Sequence, residues 1–338
     1  MAMVVRQLRH PAGRGVGKLG SDGRPGVLAT INGWPKVLAT FNADAALDGF
    51  SLGWSRVLTW YPAVGTLALG LMYALNHKLY YWFLLEDHPV EWVQFAFLVF
   101  ACLTAVLAAG RFQRQGRSGP AGLLILAAVG CFGMAGEEIS WGQRVFSLTT
   151  PTLLKAHNAQ GEITVHNMFI GNISFDKISD AMELILALAG CALAVLARPR
   201  RAALESTPVW YLAPPLVTVP GFALTTLYWA FMLATDNGSS PAALYKQWAE
   251  ICLYLGIVLT VTCCYTRAAQ GRYVPLPTSR RVSRQLDPSV RVGRMPLIVA
   301  AVAASALMGV FAQMSADSGV LPGNVPSSLV SLYGSFPL

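Results

Sequence analysis

The stretch Gly136 to Phe146, GEEISWGQRVF, sets two adjacent carboxylates, a serine, a tryptophan, a glutamine and an arginine at the end of an apolar run. Its sequel, Gln160 to Asn167, reads QGEITVHN and adds Glu162 and His166. Four-residue spacing puts those two side chains on one face whether the segment is helical or extended. With Glu137 and Glu138 they form a candidate cluster of three glutamates and one imidazole, groups suited to divalent-metal binding and to general acid–base work. The chemistry this suggests is metal-assisted. Glu138, Glu162 and His166 would hold a divalent metal ion, the one cofactor implied, and Glu137 would act as general base on its bound water. Ser140 and Arg144 complete the candidate catalytic set.

A helix continued from Pro120 to about Phe146 would be about 40 Å long. It would align Glu137, Ser140, Trp141 and Arg144 on one face, with Arg144 offered to a neighbouring helix or a lipid headgroup. Glu138 would point about 100° away from Glu137, so the two carboxylates need not share a partner. Both would sit toward the carboxy-terminal end of that helix, where the dipole disfavours anions, so something local must compensate.

The elements that position these groups are membrane helices. The chain has 338 residues, 54% of them hydrophobic and only 12% charged, where a soluble domain carries roughly 25% charged residues. Apolar stretches fall at about 57–76, 90–109, 120–140, 180–197, 209–235, 243–265 and 295–314, each long enough for about 30 Å of hydrocarbon. The expected fold is therefore all-α: a polytopic transmembrane bundle of about seven helices. The fifth stretch contains Pro214, Pro215 and Pro220, which predicts a kink or a late start and neighbours that cover the freed carbonyls.

Charge sets the orientation. Twenty of the 25 Lys and Arg, against five of the 17 acidic residues, lie in 1–56, 110–119, 198–207 and 266–294, which predicts N-in, C-out with the polar motifs on the extracytoplasmic face. The pI near 9.3 then reflects membrane topology rather than nucleic-acid binding, because the basic residues lie between apolar segments. The bilayer is the expected partner, and a bacterial cytoplasmic (inner) membrane the expected location.

Three regions follow: a basic, weakly ordered cytoplasmic tail over 1–55, a transmembrane domain over 56–314 with a polar extracytoplasmic segment at 136–179, and an external tail over 315–338. The first 55 residues lack the apolar core of a cleavable signal peptide. They contain a short duplication, VLATIN at Val27 to Asn32 and VLATFN at Val37 to Asn42, which would form a hairpin, lie on the membrane surface or remain an extension. The six cysteines lie within or at the ends of apolar stretches without CxxC spacing and read as small apolar residues.

Other polar groups have plainer explanations. In LEDHPVEW, Leu85 to Trp92, the groups Glu86, Asp87, His88 and Glu91 could ligate a cation, but Pro89 and Glu91 fit the first turn of a helix. Asp180 and Glu183 read as amino-terminal caps in the same way. Tyr80, Tyr81, Trp82 and Trp92 form an interfacial belt, and Asp236 with Asn237 reads as a turn. Glu250, inside an apolar run, needs a partner, and Lys246 stands one turn away. The arginines from Arg267 to Arg294 form a positive inner loop within reach of anionic headgroups.

The strings GEEISWGQR and QGEITVHN, preceded by the acidic element at Leu85 to Trp92, resemble those of a family of bacterial multi-pass membrane proteins without an assigned activity. The resemblance covers about residues 80–170 and implies a grouping without a mechanism. Three readings of function follow from the residues. One is a metal-dependent enzyme acting on a lipid or lipid-linked substrate at headgroup depth. Another is a non-catalytic subunit of a larger membrane complex, in which the polar groups form a locking network with other membrane-protein subunits as partners. The third is a transporter, disfavoured because the polar groups cluster at one face rather than at the midplane.

Overall fold

The computed structural model describes residues 34–85, 89–143, 146–158, 160–197, 212–235 and 241–269. The compact unit that carries the site begins at Thr40; of the unit before it, 34–39 are described, as the first turns of a helix. In chain order the helices are α1 (Trp34–Leu47), α2 (Leu52–Leu75), α3 (His77–Leu84), α4 (Pro89–Arg114), α5 (Ser118–Glu138), α6 (Thr152–His157), α7 (Phe175–Leu196), α8 (Val219–Thr235), α9 (Pro241–Leu244) and α10 (Lys246–Ala269). A two-stranded antiparallel hairpin, β1 (Phe169–Ile170) with β2 (Ile173–Ser174), leads into α7.

Among the described residues six helical segments are long and apolar enough to cross a membrane: Leu52–Leu75, His77–Arg114, Ser118–Glu138, Phe175–Leu196, Leu216–Thr235 and Pro241–Ala269. The chain is a multi-pass, mostly helical membrane protein, and these six coincide with the first six expected spans. The expected span at 295–314 lies outside the described residues, as do the tail at 315–338, Glu86, Asp87, His88, Arg144, Asp236 and Asn237. Of the duplicated runs, Val27 to Asn32 lies outside the described residues. Val37 to Asn42 belongs to α1 and not to a strand, and Ser51 caps α2 by accepting from the Trp54 N–H at 3.3 Å, which starts that helix at Leu52. All six cysteines are free thiols.

The bundle is built on small residues. In α4 the fully buried positions Leu98, Ala101, Ala105, Ala108 and Phe112, and in α5 the buried positions Ala121, Leu124, Ala128, Cys131 and Ala135, recur at alternating steps of three and four. Two such stripes on consecutive antiparallel helices let the backbones approach closely, which is how helices associate in lipid, where burying apolar surface contributes little. The opposite face of α5, with Leu123, Ile125, Leu126, Val129 and Phe132, is exposed. That face suits hydrocarbon and not water. Helix α10 is buried on most sides, whereas α2 and α7 turn most of their surface outward.

The proline pair before α8 behaves as its chemistry requires. Pro214 and Pro215 keep the chain out of a helix, so the Ala213 carbonyl and the Leu216 N–H lack helical partners. The Arg267 guanidinium donates to the Ala213 carbonyl at 2.8 Å, and the Asp44 carboxylate accepts from Leu216 N at 2.8 Å. Arg267 also makes a two-pronged pair with Asp48, Nε to Oδ1 at 2.8 Å and Nη2 to Oδ2 at 2.7 Å, both side chains being buried. Arg267 is thus an internal clamp and not a headgroup contact; the arginines after it lie outside the described residues.

Three helices close on one ring. A Cβ added at Gly256 of α10 would lie 2.5 Å from the Phe222 ring of α8, and one at Gly190 of α7 would lie 2.8 Å from it. Gly256→Val is therefore expected to lower stability by about 1–3 kcal/mol, the usual cost of overpacking, read as a lower midpoint in thermal unfolding in detergent. An unchanged midpoint would show that Phe222 moves aside freely.

Candidate functional site

Helix α5 stops at Glu138 instead of continuing to Phe146. The next residues turn left-handed, with φ of 48° at Ser140, 52° at Trp141 and 74° at Gly142. Two successive non-glycine residues in that region are costly and persist only when surrounding contacts hold them. The contacts are visible. The Trp141 indole folds back over Gly136, where a Cβ would meet it at 2.8 Å, and donates its Nε1–H to Glu137 Oε1 at 2.7 Å. Ser140 is buried and donates its hydroxyl to Glu162 Oε2 at 2.7 Å. The helical face expected for Glu137, Ser140 and Trp141 is therefore not formed, because side-chain bonds outweigh continued helix.

Glu137 obtains the compensation its position demands. Besides Trp141, its Oε2 accepts the Val165 N–H at 2.7 Å and the His166 N–H at 2.9 Å, and lies 3.0 Å from His166 Nδ1. Four hydrogen-bond donors around one carboxylate offset the unfavourable end of the helix dipole. A carboxylate accepts only, so Nδ1 carries the proton toward it, and in the neutral ring Nε2 is left as an acceptor.

The loop bearing His166 is held from the same motif. Gln143 donates to Thr150 Oγ1 at 2.7 Å and accepts the Ile163 N–H at 2.7 Å, while Thr150 donates to the Gly161 carbonyl at 2.7 Å. Buried Asn158 donates to the Thr164 carbonyl at 2.8 Å and accepts from Gln160 N at 2.9 Å. Asn167 Nδ2 donates to Gln160 Oε1 at 2.6 Å. The two motifs thus form one cross-braced structure over the end of the bundle.

Beneath it the carboxylates pair across helices. Glu138 accepts from the Tyr254 hydroxyl at 2.9 Å, Glu183 from Trp229 Nε1 at 2.9 Å and Glu250 from Gln94 Nε2 at 3.0 Å. Lys246 Nζ stands 3.6 Å from Asp176, 3.7 Å from Asp180 and 3.7 Å from Glu250. The pairing of Glu250 with Lys246 is as the sequence suggests. Of these groups Glu138, Glu183, Glu250, Lys246 and Tyr254 line a cavity of about 180 Å³, together with Glu137, Ser140, Glu162 and His166.

All the described candidate residues therefore reach one cavity, although Glu138, Glu162 and His166 are each bonded to a different partner. Among the described residues no three His, Cys, Asp or Glu side chains are gathered as a metal-ion site. Glu91 lies in the first turn of α4, as its capping role requires, and also lines the cavity. Asp180 and Glu183 are not caps. Helix α7 begins at Phe175, which puts them one and two turns inside, where Glu183 is buried against Trp229. Sequence reasoning also missed Gln94, fully buried, and Gln247, buried beside the cavity. The signal was there: an amide or carboxylate within an apolar run is expensive without a purpose. No protein-family model, no curated protein and no solved structure matches the chain.

Proposed function

We propose that the protein is an enzyme of a bacterial cytoplasmic membrane, oriented N-in, that cleaves a lipid or lipid-linked substrate whose polar head enters this cavity from the extracytoplasmic side. The observation that carries the reading is the Glu137–His166 pair. A carboxylate holding Nδ1 while the ring lines a cavity presents Nε2 to whatever enters. That arrangement serves a general base taking a proton from water, with Glu137 stabilising the imidazolium formed. It equally serves a histidine that ligates a divalent metal ion, since such ligands commonly donate their other ring N–H to a carboxylate. Glu137 itself, with four donors around it, is better placed to orient than to take a proton. Ser140 would hold Glu162 toward the entering head. The three arginines and absence of acidic residues in 110–119, where α4 ends and α5 begins, support the orientation.

The test uses the full chain in nanodiscs of bacterial lipid extract, with products followed by mass spectrometry and metal content measured on the same preparation. Conversion lost on His166→Ala supports the reading, and stoichiometric metal lost in the same variant assigns His166 as a ligand. Absence of any lipid conversion by the wild type would sink it. A second reading, a non-catalytic subunit, is favoured by the pairs Glu138–Tyr254, Glu183–Trp229 and Glu250–Gln94, each of which ties two helices together. It predicts co-purification with a stable partner and no turnover.

A further inference from the structure

The cavity holds an excess of acceptors. Six carboxylates line it, those of Glu91, Glu137, Glu138, Glu162, Glu183 and Glu250, against the side chains of Lys246 and His166. The ammonium of Lys246 is spread over three carboxylates at 3.6–3.7 Å, beyond hydrogen-bond length. Independently, Gln247 is buried, lines the cavity and has an Oε1 with no hydrogen-bond partner. Behind it Gln94, fully buried, uses its Nε2–H on Glu250 and on the Gln247 carbonyl, and its own Oε1 is also without a partner. Buried acceptors without donors are costly.

We infer that the ligand of this cavity presents a primary ammonium group to Glu250, Gln247 and Glu183, carried either on a lipid headgroup or on a free amine. The inference rests on the reading of the cavity as a substrate site. What is missing there is a donor with positive charge. Calcium or magnesium would need about six or more oxygens at 2.0–2.6 Å, and the described carboxylates are not so gathered. A quaternary ammonium would seek an aromatic cage, whereas among the described lining residues Tyr254 is the one phenol or indole. A primary ammonium has three N–H donors and tolerates partners in varied directions. The volume of about 180 Å³ corresponds to about six waters at ~30 Å³ each, enough for an aminoethyl head.

The full chain in phosphatidylglycerol nanodiscs is titrated with ethanolamine or choline, and separately transferred to discs containing phosphatidylethanolamine or phosphatidylcholine, with thermal midpoint as readout. A saturable rise with ethanolamine and not choline assigns a free amine. A rise with phosphatidylethanolamine discs alone assigns the lipid headgroup. Glu250→Gln and Gln247→Leu should each weaken the response at least tenfold, and Gln247→Leu keeps the assay open if the charged variant fails to fold. Equal responses to choline and ethanolamine, or none to any probe, overturn the inference. Repeating the titration on His166→Ala separates the two readings. Amine binding by a protein that converts no lipid removes the enzyme reading alone, and conversion without amine binding removes this inference alone.

Discussion

His166→Ala is expected to lower lipid conversion at least a hundredfold, within the roughly 10²–10⁴ range for losing a positioned acid–base group, while the thermal midpoint stays near that of the wild type. The side chain is partly exposed and its bond is to Glu137 Oε2, so removing it leaves Glu137 with the Trp141 indole N–H and the Val165 and His166 backbone N–H groups. Glu137→Gln is the complementary change. An amide in place of the carboxylate turns an –NH₂ toward either the Trp141 N–H or the paired N–H groups of Val165 and His166, so at least one donor faces another donor. That should cost about 1–3 kcal/mol and disorder the loop as well as lose activity. A His166→Ala protein that converts lipid at the wild-type rate would show that the ring is part of the bracing and nothing more.

The second large effect lies at the other end of the bundle. Asp48→Ala is expected to destabilise by about 3–5 kcal/mol, the cost of leaving one member of a buried ion pair alone. Arg267 is buried and its guanidinium reaches Asp48 twice and the Ala213 carbonyl once. Without Asp48 the charge stays buried and the chain before α8 loses its anchor. The double variant Asp48→Leu/Arg267→Leu should recover a large part of the loss, and a double-mutant cycle of unfolding midpoints in detergent would measure the coupling. Additive effects of the two single changes would show that the pair contributes no mutual stabilisation.

Several features of the site were legible in the residues because they follow from local rules. Pro89 and Glu91 open α4 as first-turn chemistry dictates, and Lys246 meets Glu250 because four residues make one turn. The divergence of Glu137 from Glu138 follows from the 100° step of a helix, one turning to the loop and the other to Tyr254. The end of α5 was not legible. Nothing local forbids helix through Ser140 and Trp141, and the turn exists because Glu162, from a later segment, and Gly136, one turn earlier, accommodate the two side chains. Glu183 was misread for a related reason. Its distance from the start of α7 depends on where the β-hairpin releases the chain, which two short strands of Phe169–Ile170 and Ile173–Ser174 settle by pairing.

By itself, then, the sequence determined the membrane helices and the placement of polar chemistry at one end of them, because hydropathy acts over neighbours in the chain. The tertiary structure alone decided the partners: which carboxylate holds His166, which faces Tyr254, and where acceptors go unanswered. Those choices depend on groups separated by twenty to over a hundred residues, such as Ser140 with Glu162 and Glu138 with Tyr254. In a low-dielectric interior such long-range pairs carry the largest electrostatic terms, and no local pattern encodes them.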